Sequence, residues 1–258
     1  MTYILMLYTI MKNLPLLILI LINFNISFAQ KSESELLKDY DFYLEKNIEM
    51  GKWSTKYFLS NGLVTTQENY WNNELRSRTE FEYDKYDNVK QETETYNIND
   101  GKVNNVSHIK LKYNDTLLVR KEFDFGMTEK YSDFNKFGKP KLIERIDEHN
   151  VWPHKEIFEY DKKGNVVKSI VFSTYTDLNN KTAKEKATTH FKYDKWNNVI
   201  EIHREFEPKQ EFPIIMTGGP AKYEFEYFRY KYNKNGLWTK KYKTVNGKEI
   251  LVAKRKYK

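Results

Sequence analysis

The chain has 258 residues, of which 40% are hydrophobic, 31% charged and 16% aromatic. This length fits one large domain, and so high an aromatic content argues against intrinsic disorder. The sequence has no cysteine, which excludes disulfides, thiolate metal sites and a cysteine nucleophile. The net charge of +7 favours anionic partners, but glutamates are interspersed among the basic residues, which is more typical of the solvated faces of a sheet.

The chain begins with the features of a secretory signal peptide. Lys12 supplies a positive charge ahead of the apolar stretch Leu14–Ile22, and Ser27–Ala29 has the small residues of a cleavage site. We therefore predict that Met11 is the natural start and that residues 1–29 are removed. The alternative is a retained membrane anchor, but polar residues and a proline interrupt the apolar stretch.

The next segment, residues 30–51, predicts an N-terminal helix. Ser32 and Glu35 have the spacing of a capping box, apolar residues follow at helical intervals, and Gly51 can end the helix. We expect this helix to cover the first edge of the sheet that follows, which would prevent pairing with other chains. The alternative is a helix that docks on another protein.

Residues 52–258 contain a motif that occurs five times: an aromatic residue, Asp or Asn, Lys, a free position, then Gly, Asn or Asp. The copies begin at Tyr83, Phe134, Tyr160, Tyr193 and Tyr232. The second residue can accept hydrogen bonds from the turn backbone, and the fifth tolerates positive φ. The residues at this fifth position are Asp87, Gly138, Gly164, Asn197 and Gly236. Because the flanking sequences alternate apolar and polar residues, each copy predicts a β-hairpin.

The stretch Phe158–Asn165 (FEYDKKGN) resembles the YD-repeat (Rhs-type) family, whose core is Tyr-x-Tyr-Asp followed by a glycine turn. Phe81–Asn88 and Phe191–Asn198 follow the same pattern. The resemblance implies a small secreted bacterial member, too short to close the cargo shell of large relatives. Since a lone hairpin is marginally stable, we predict an all-β fold in which consecutive antiparallel hairpins form one extended, twisted repeat sheet.

Two surface features are candidates for binding. The Lys at the third motif position is interpreted as a solvated turn residue, with contact to a ligand as the alternative. The loop Glu207–Pro220 holds an apolar cluster that needs a partner or must fold back on the sheet. This cluster consists of Phe212, Ile214, Ile215 and Met216.

Residues that could support catalysis are scattered. His149 and His154 flank one loop near Asp147, but their spacing matches no zinc motif, so we predict no metal site. Carboxylate pairs such as Glu80 and Glu82 could suit glycoside hydrolysis, but glutamate is common along all these strands. The sequence contains no G-x-S-x-G, H-E-x-x-H or P-loop motif. We therefore predict no catalytic residue and no cofactor.

These features favour an exported, non-enzymatic binding or scaffold protein of the bacterial envelope, located in the periplasm, at the cell surface or outside the cell. The expected partner is a glycan, a cell-wall polymer or an envelope protein, engaged through the hairpin sheet. Export argues against a nucleic-acid partner, and no membrane span remains after signal cleavage. The alternative function is a secreted carbohydrate-active hydrolase with its site in the 147–154 or 207–220 loops.

Overall fold

The computed structural model describes residues 33–96, 105–146, 154–176, 182–215 and 220–258. The predicted signal peptide, His149 and Met216 lie outside these ranges. Among the described residues, one helix, α1, spans Glu33–Leu37 and precedes sixteen strands. The strands are β1 Phe42–Asn47, β2 Trp53–Ser60, β3 Leu63–Trp71, β4 Glu74–Tyr83, β5 Val89–Tyr96, β6 Asn105–Asn114, β7 Leu117–Phe123, β8 Thr128–Phe134, β9 Pro140–Ile146, β10 His154–Tyr160, β11 Val166–Thr176, β12 Thr182–Tyr193, β13 Val199–Glu207, β14 Phe225–Tyr232, β15 Trp238–Val245 and β16 Lys248–Tyr257. No helix within the described ranges is long and apolar enough to cross a membrane.

The strands form a closed barrel in which each strand pairs antiparallel with its neighbours in sequence. β1 closes the barrel on β16, with a register that runs from Tyr43 opposite Tyr257 to Asn47 opposite Ala253. The prediction of an all-β fold built from antiparallel hairpins is confirmed. The predicted open, extended sheet is wrong, because the first and last strands pair and closure leaves neither of them as an exposed edge.

The predicted helix over residues 30–51 is also wrong for most of its length. The helix ends at Leu37, and Phe42–Asn47 form β1 instead. A strand at this position pairs with both β2 and β16, which outweighs a helical spacing of a few apolar residues. Instead of covering an edge, α1 packs into the barrel mouth, where Leu37 joins a buried cluster with Tyr43 and Leu237.

The connections between strands alternate between the two ends of the barrel. At one end lie seven tight turns, which include all five copies of the repeated motif, and we call this end the turn rim. The seven turns of the turn rim comprise residues 61–62, 84–88, 115–116, 135–139, 161–165, 194–198 and 233–237. The opposite end carries connections of varied length, from two-residue turns at 72–73 and 246–247 to the loop that begins at residue 208.

Six tyrosines link successive hairpins in the same way. Each lies near the end of an even-numbered strand, and its hydroxyl donates to the carbonyl oxygen of the first or second residue of the preceding strand. The pairs are Tyr83–Val64 (2.6 Å), Tyr113–Val89 (2.9 Å), Tyr160–Pro140 (2.6 Å), Tyr193–Val166 (2.7 Å), Tyr230–Val199 (3.0 Å) and Tyr257–Trp238 (2.8 Å). Three of these tyrosines, Tyr83, Tyr160 and Tyr193, begin copies of the repeated motif, and all six hold successive hairpins together.

The strand registers assign every side chain to one of two faces. Residues paired across neighbouring strands lie on the same face. When these pairs are traced around the whole barrel, the path returns to the same face of β1. The inner face carries the linking tyrosines and receives α1, and there Lys121 on β7 reaches Glu92 on β5 across the intervening strand, at 2.9 Å. A barrel of sixteen strands is wide enough to keep a water-accessible lumen, which explains why so many inner side chains are only half-buried.

Candidate binding surface

The motif turns are built by local hydrogen bonds, of which the turn at residues 161–165 is representative. Asp161 Oδ1 accepts the backbone N–H groups of Lys163 and Asn165, both at 2.8 Å. Although burial raises the pKa of Asp161, these hydrogen bonds lower it more, so the net pKa lies below the usual value. The second motif position is therefore structural.

The fifth motif position has positive φ in all five turns. The values are 62° at Asp87, 72° at Gly138, 84° at Gly164, 62° at Asn197 and 83° at Gly236. At Gly164 a Cβ atom would also lie 3.0 Å from the Phe137 ring of the preceding turn. Both backbone strain and space therefore restrict this position to small or αL-tolerant residues.

The third and fourth motif positions point to solvent at the turn rim. The third-position lysines are exposed in all five turns: Lys85, Lys136, Lys162, Lys195 and Lys234. In three turns the fourth residue is aromatic, and the lysine Nζ lies over its ring. The Nζ-to-centroid distances are 4.8 Å for Lys85–Tyr86, 5.0 Å for Lys136–Phe137 and 5.2 Å for Lys195–Trp196.

These three lysine–aromatic pairs, which we call the rim pairs, recur at equal intervals. They occupy the β4–β5, β8–β9 and β12–β13 turns, four strands apart, or about 19 Å along the rim at the usual strand spacing. Tyr86, Phe137 and Trp196 are 65%, 43% and 36% exposed. The rings of Phe137 and Trp196 rest against the glycines of the next motif turns, Gly164 and Gly236, which fixes their orientation.

The residues of the apolar cluster predicted in the 207–220 loop differ in their exposure to solvent. The Phe212 ring packs against Phe206 on the inner face of β13, with centroids 5.8 Å apart, so this residue folds back on the barrel. Ile214 is half-buried and forms a β-bridge with Lys222. Ile215 is 82% exposed and remains available to a partner.

The sequence did not predict a charge network that lies on the inner face next to this loop. Lys243 on β15 is only 2% exposed, and its Nζ lies 2.7 Å from Glu226 and 2.8 Å from Glu49. Arg204 pairs with Glu226 at 2.8 Å and donates to the carbonyl oxygen of Tyr223 at 2.9 Å, which fixes the end of the loop. Burial lowers the pKa of Lys243, but the hydrogen bonds to the two carboxylates raise it by more than burial lowers it. The net pKa is therefore raised. In the sequence, Lys243 cannot be distinguished from the many solvated lysines.

A second inner cluster lies on β8, β9 and β10 and includes His154. Arg145 Nε donates to Glu129 at 2.9 Å, and the Tyr131 hydroxyl donates to the same carboxylate at 2.5 Å. Although burial raises the pKa of Glu129, these two hydrogen bonds lower it more, whereas burial raises the pKa of Glu156. A cleft of about 470 Å³ adjoins this cluster and is lined by Arg145 and His154, among others.

The outer face is charged and carries the other histidines of the described ranges. Cross-strand ion pairs such as Glu159–Lys168 (2.9 Å) and Glu207–Lys186 (2.8 Å) recur along it. His108, His190 and His203 also lie on this face, on β6, β12 and β13. The histidines are therefore split between the two sides of the barrel wall.

Comparisons with known proteins do not assign this chain to a family. No family model matches the sequence, and no curated protein matches it. Among solved structures, the chain is similar to a porin-like protein from Bacteroides uniformis, with 9% identity and a TM-score of 0.35 over 85% of this chain and 98% of that chain. This score is too low to transfer fold or function, and the YD-repeat resemblance stays a prediction.

Proposed function

We propose that this chain is an exported, non-enzymatic binding protein of the cell envelope that holds an acidic glycan or wall polymer on its turn rim. The observation that carries the proposal is the set of three rim pairs at equal intervals. Each ring offers exposed apolar surface to a sugar, and each lysine offers a positive charge to a carboxylate or phosphate.

The spacing of the rim pairs favours a polymer over a small ligand. Intervals of about 19 Å are too wide for one small molecule to reach two pairs. A polymer that engages several pairs converts the later contacts into intramolecular ones, so modest individual contacts give high avidity. The same repeats that build the fold would then also repeat the binding site, in keeping with the proposed YD-repeat relationship.

The outer face supports a location in water after export. Lysines, arginines and glutamates occupy outward positions along the strands, as in the Glu159–Lys168 and Glu207–Lys186 pairs. On a lipid-facing wall each basic residue near the bilayer midplane would cost about 2–4 kcal/mol. Together with the predicted signal peptide, this charge pattern favours a secreted, periplasmic or surface location without a membrane span.

Binding to a defined acidic polymer tests the proposal. Polygalacturonate serves as the probe and dextran, a neutral polysaccharide, as its control. We expect wild type to bind polygalacturonate, and the triple variant Lys85→Gln/Lys136→Gln/Lys195→Gln to bind roughly 10- to 100-fold more weakly, since three exposed ionic contacts of up to about 1 kcal/mol each are lost.

A matched control separates rim recognition from general charge. The triple variant Lys130→Gln/Lys155→Gln/Lys184→Gln removes the same charge from exposed positions of the outer face. Affinity close to wild type is expected for this control. Equal weakening of both triple variants, or no binding of polygalacturonate by wild type, would overturn the turn-rim proposal.

A second function, a carbohydrate-active hydrolase, is favoured by one observation. Glu129 and Glu156 lie in one inner cluster, and their environments move their pKa values in opposite directions, as in an acid–base pair. The cleft is lined by Ile146 and His154, which directly precede and end the 147–154 segment that the sequence indicated for this alternative. Release of reducing ends from a polysaccharide panel by wild type, and its loss in Glu156→Gln, would establish this function and refute the non-enzymatic one.

A further inference from the structure

We propose that His190, His203 and Glu205 bind one transition-metal ion, with Zn²⁺ as the best-suited metal, on the outer face of the barrel. This site is independent of the turn rim. Its three side chains come from two neighbouring strands, β12 and β13, and the potential ligand atoms all lie within 4.8 Å of one another.

The strand register brings the three residues together. His190 lies directly opposite His203 in the β12–β13 pairing, and Glu205 follows His203 by two residues, on the same face. Residues directly opposite on antiparallel strands have Cβ atoms about 4.5–5.5 Å apart, which places two imidazoles within reach of one ion. The backbone ladder, rather than a mobile loop, therefore sets the positions of the ligands.

The distances between the ligand atoms suit an intervening ion. His190 Nε2 and His203 Nε2 lie 4.0 Å and 3.7 Å from the same oxygen, Glu205 Oε1. These separations exceed the range of about 2.7–3.2 Å for a direct hydrogen bond. Zinc bonds of about 2.0–2.2 Å in tetrahedral geometry place neighbouring ligand atoms about 3.3 Å apart, so small side-chain rotations would complete the site.

Aromatic stacking restrains one ligand in place. The His203 ring stacks on Phe225 with a centroid distance of 4.2 Å and an interplanar angle of 2°. On its other side it stacks on His190, at 5.6 Å and 21°. A ring held between two others loses little rotational freedom when it binds a metal, which lowers the entropic cost of binding.

The charges around the site leave Glu205 available. On the same two strands, Lys186 pairs with Glu207 at 2.8 Å and Lys192 pairs with Glu201 at 2.8 Å. Opposite Glu205 lies Thr188, and within the described residues the ionic contacts of Glu205 are to the two histidines. The nearby lysines are thus occupied by other carboxylates, and Glu205 can serve as the anionic ligand.

The donor set predicts the class of metal. Two imidazoles and one carboxylate suit zinc, copper or nickel, whereas magnesium and calcium prefer oxygen ligands. Three protein ligands leave a fourth position for water or for a donor group of a bound partner, as in open zinc sites. The site would therefore hold a metal that can itself take a further ligand.

Calorimetric titration with ZnCl₂ tests the site on the full mature protein, with MgCl₂ as the control metal. We expect saturable 1:1 zinc binding by wild type and no magnesium binding. His190→Gln should weaken zinc binding at least about tenfold, because loss of a supporting group around a metal already costs about 10- to 100-fold. His108→Gln, which changes a histidine on the same outer face, should bind zinc as wild type does.

Glu205→Gln provides a second test that does not depend on the first variant folding, and it should also weaken zinc binding at least about tenfold. Far-ultraviolet circular dichroism checks the fold of each variant, and the imidazole ¹H–¹⁵N NMR signals of His190 and His203 should shift together when zinc is added. Absence of 1:1 zinc binding by wild type, or wild-type affinity in folded His190→Gln or Glu205→Gln, would overturn the proposal.

Discussion

The buried charge network around Lys243 gives the sharpest test of how the inner face is packed. Lys243→Met keeps most of the side-chain volume but removes the cation that lies 2.7 Å from Glu226 and 2.8 Å from Glu49. Because Lys243 is only 2% exposed, water cannot replace the lost ammonium group at its present position. The variant should therefore be clearly less stable than wild type.

The structure also sets the size of this loss. Removing one partner of a buried ion pair costs about 3–5 kcal/mol when the other charge is left uncompensated. Glu226 retains Arg204 at 2.8 Å, and Glu49, with a side chain 25% exposed, can turn to solvent. We therefore expect the lower end of this range, about 3 kcal/mol, or roughly 6–12 °C in Tm for a domain of this size.

The pH dependence has a defined sign. Since the folded-state pKa of Lys243 is raised, the stability that its charge contributes is fully present below the unfolded-state pKa of about 10.4. That contribution is lost as the pH rises through the folded-state pKa. The difference in unfolding free energy between wild type and Lys243→Met should thus stay constant from neutral pH to about pH 10 and narrow above it.

Urea unfolding followed by circular dichroism measures this difference, and Lys186→Met is the matched control. Lys186 also makes a 2.8 Å pair, with Glu207, but the two side chains are 35% and 72% exposed. An exposed pair of this kind contributes about 0.2–1 kcal/mol. If Lys243→Met loses no more stability than Lys186→Met, the network is not buried as described and the reasoning fails.

Three further outcomes are expected. Gly164→Ala should destabilise the protein more than Gly51→Ala does. Both glycines have positive φ, but of the two only Gly164 has a ring, that of Phe137, 3.0 Å from an added Cβ. Equal losses of stability in urea unfolding would mean that the Phe137 ring moves aside freely. Tyr193→Phe should cost about 1 kcal/mol of stability, because the variant loses the 2.7 Å hydrogen bond to the carbonyl oxygen of Val166. The control Tyr86→Phe, at a residue 65% exposed, should unfold as wild type does. Indistinguishable unfolding of the two variants would contradict the linking role of Tyr193. The intact mass of the protein from its native host should correspond to a chain that starts at Gln30, and a mass that retains residues 11–29 would refute signal cleavage.

The local structure of the repeats could be read from the sequence because short-range chemistry decides it. Alternating residues on both sides of Asp161–Asn165 predict two strands, and the Asp, Gly and Asn types at fixed positions predict the turn. The structure places a hairpin at every motif copy. These predictions succeeded since a hairpin depends on neighbours within about ten residues.

The helix over residues 30–51 failed for the opposite reason. Leu37, Tyr40 and Leu44 have helical spacing, but Tyr43 and Glu45 also fit a strand that alternates between the two faces. The competing strand pairs with β16, at the far end of the chain, as well as with β2. The periodicity of a short segment contains no information about pairing with a distant strand.

By itself, the sequence determined most of the strands and the motif turns, which are encoded within short segments. Only the tertiary structure decided that the sheet closes, which side of each strand faces the lumen, and that Lys243 is buried while Lys186 is exposed. It also brought His190 and His203 together from positions thirteen residues apart. The physical reason is that closure and register depend on pairings between distant segments, and these settle which charges are desolvated and which side chains converge.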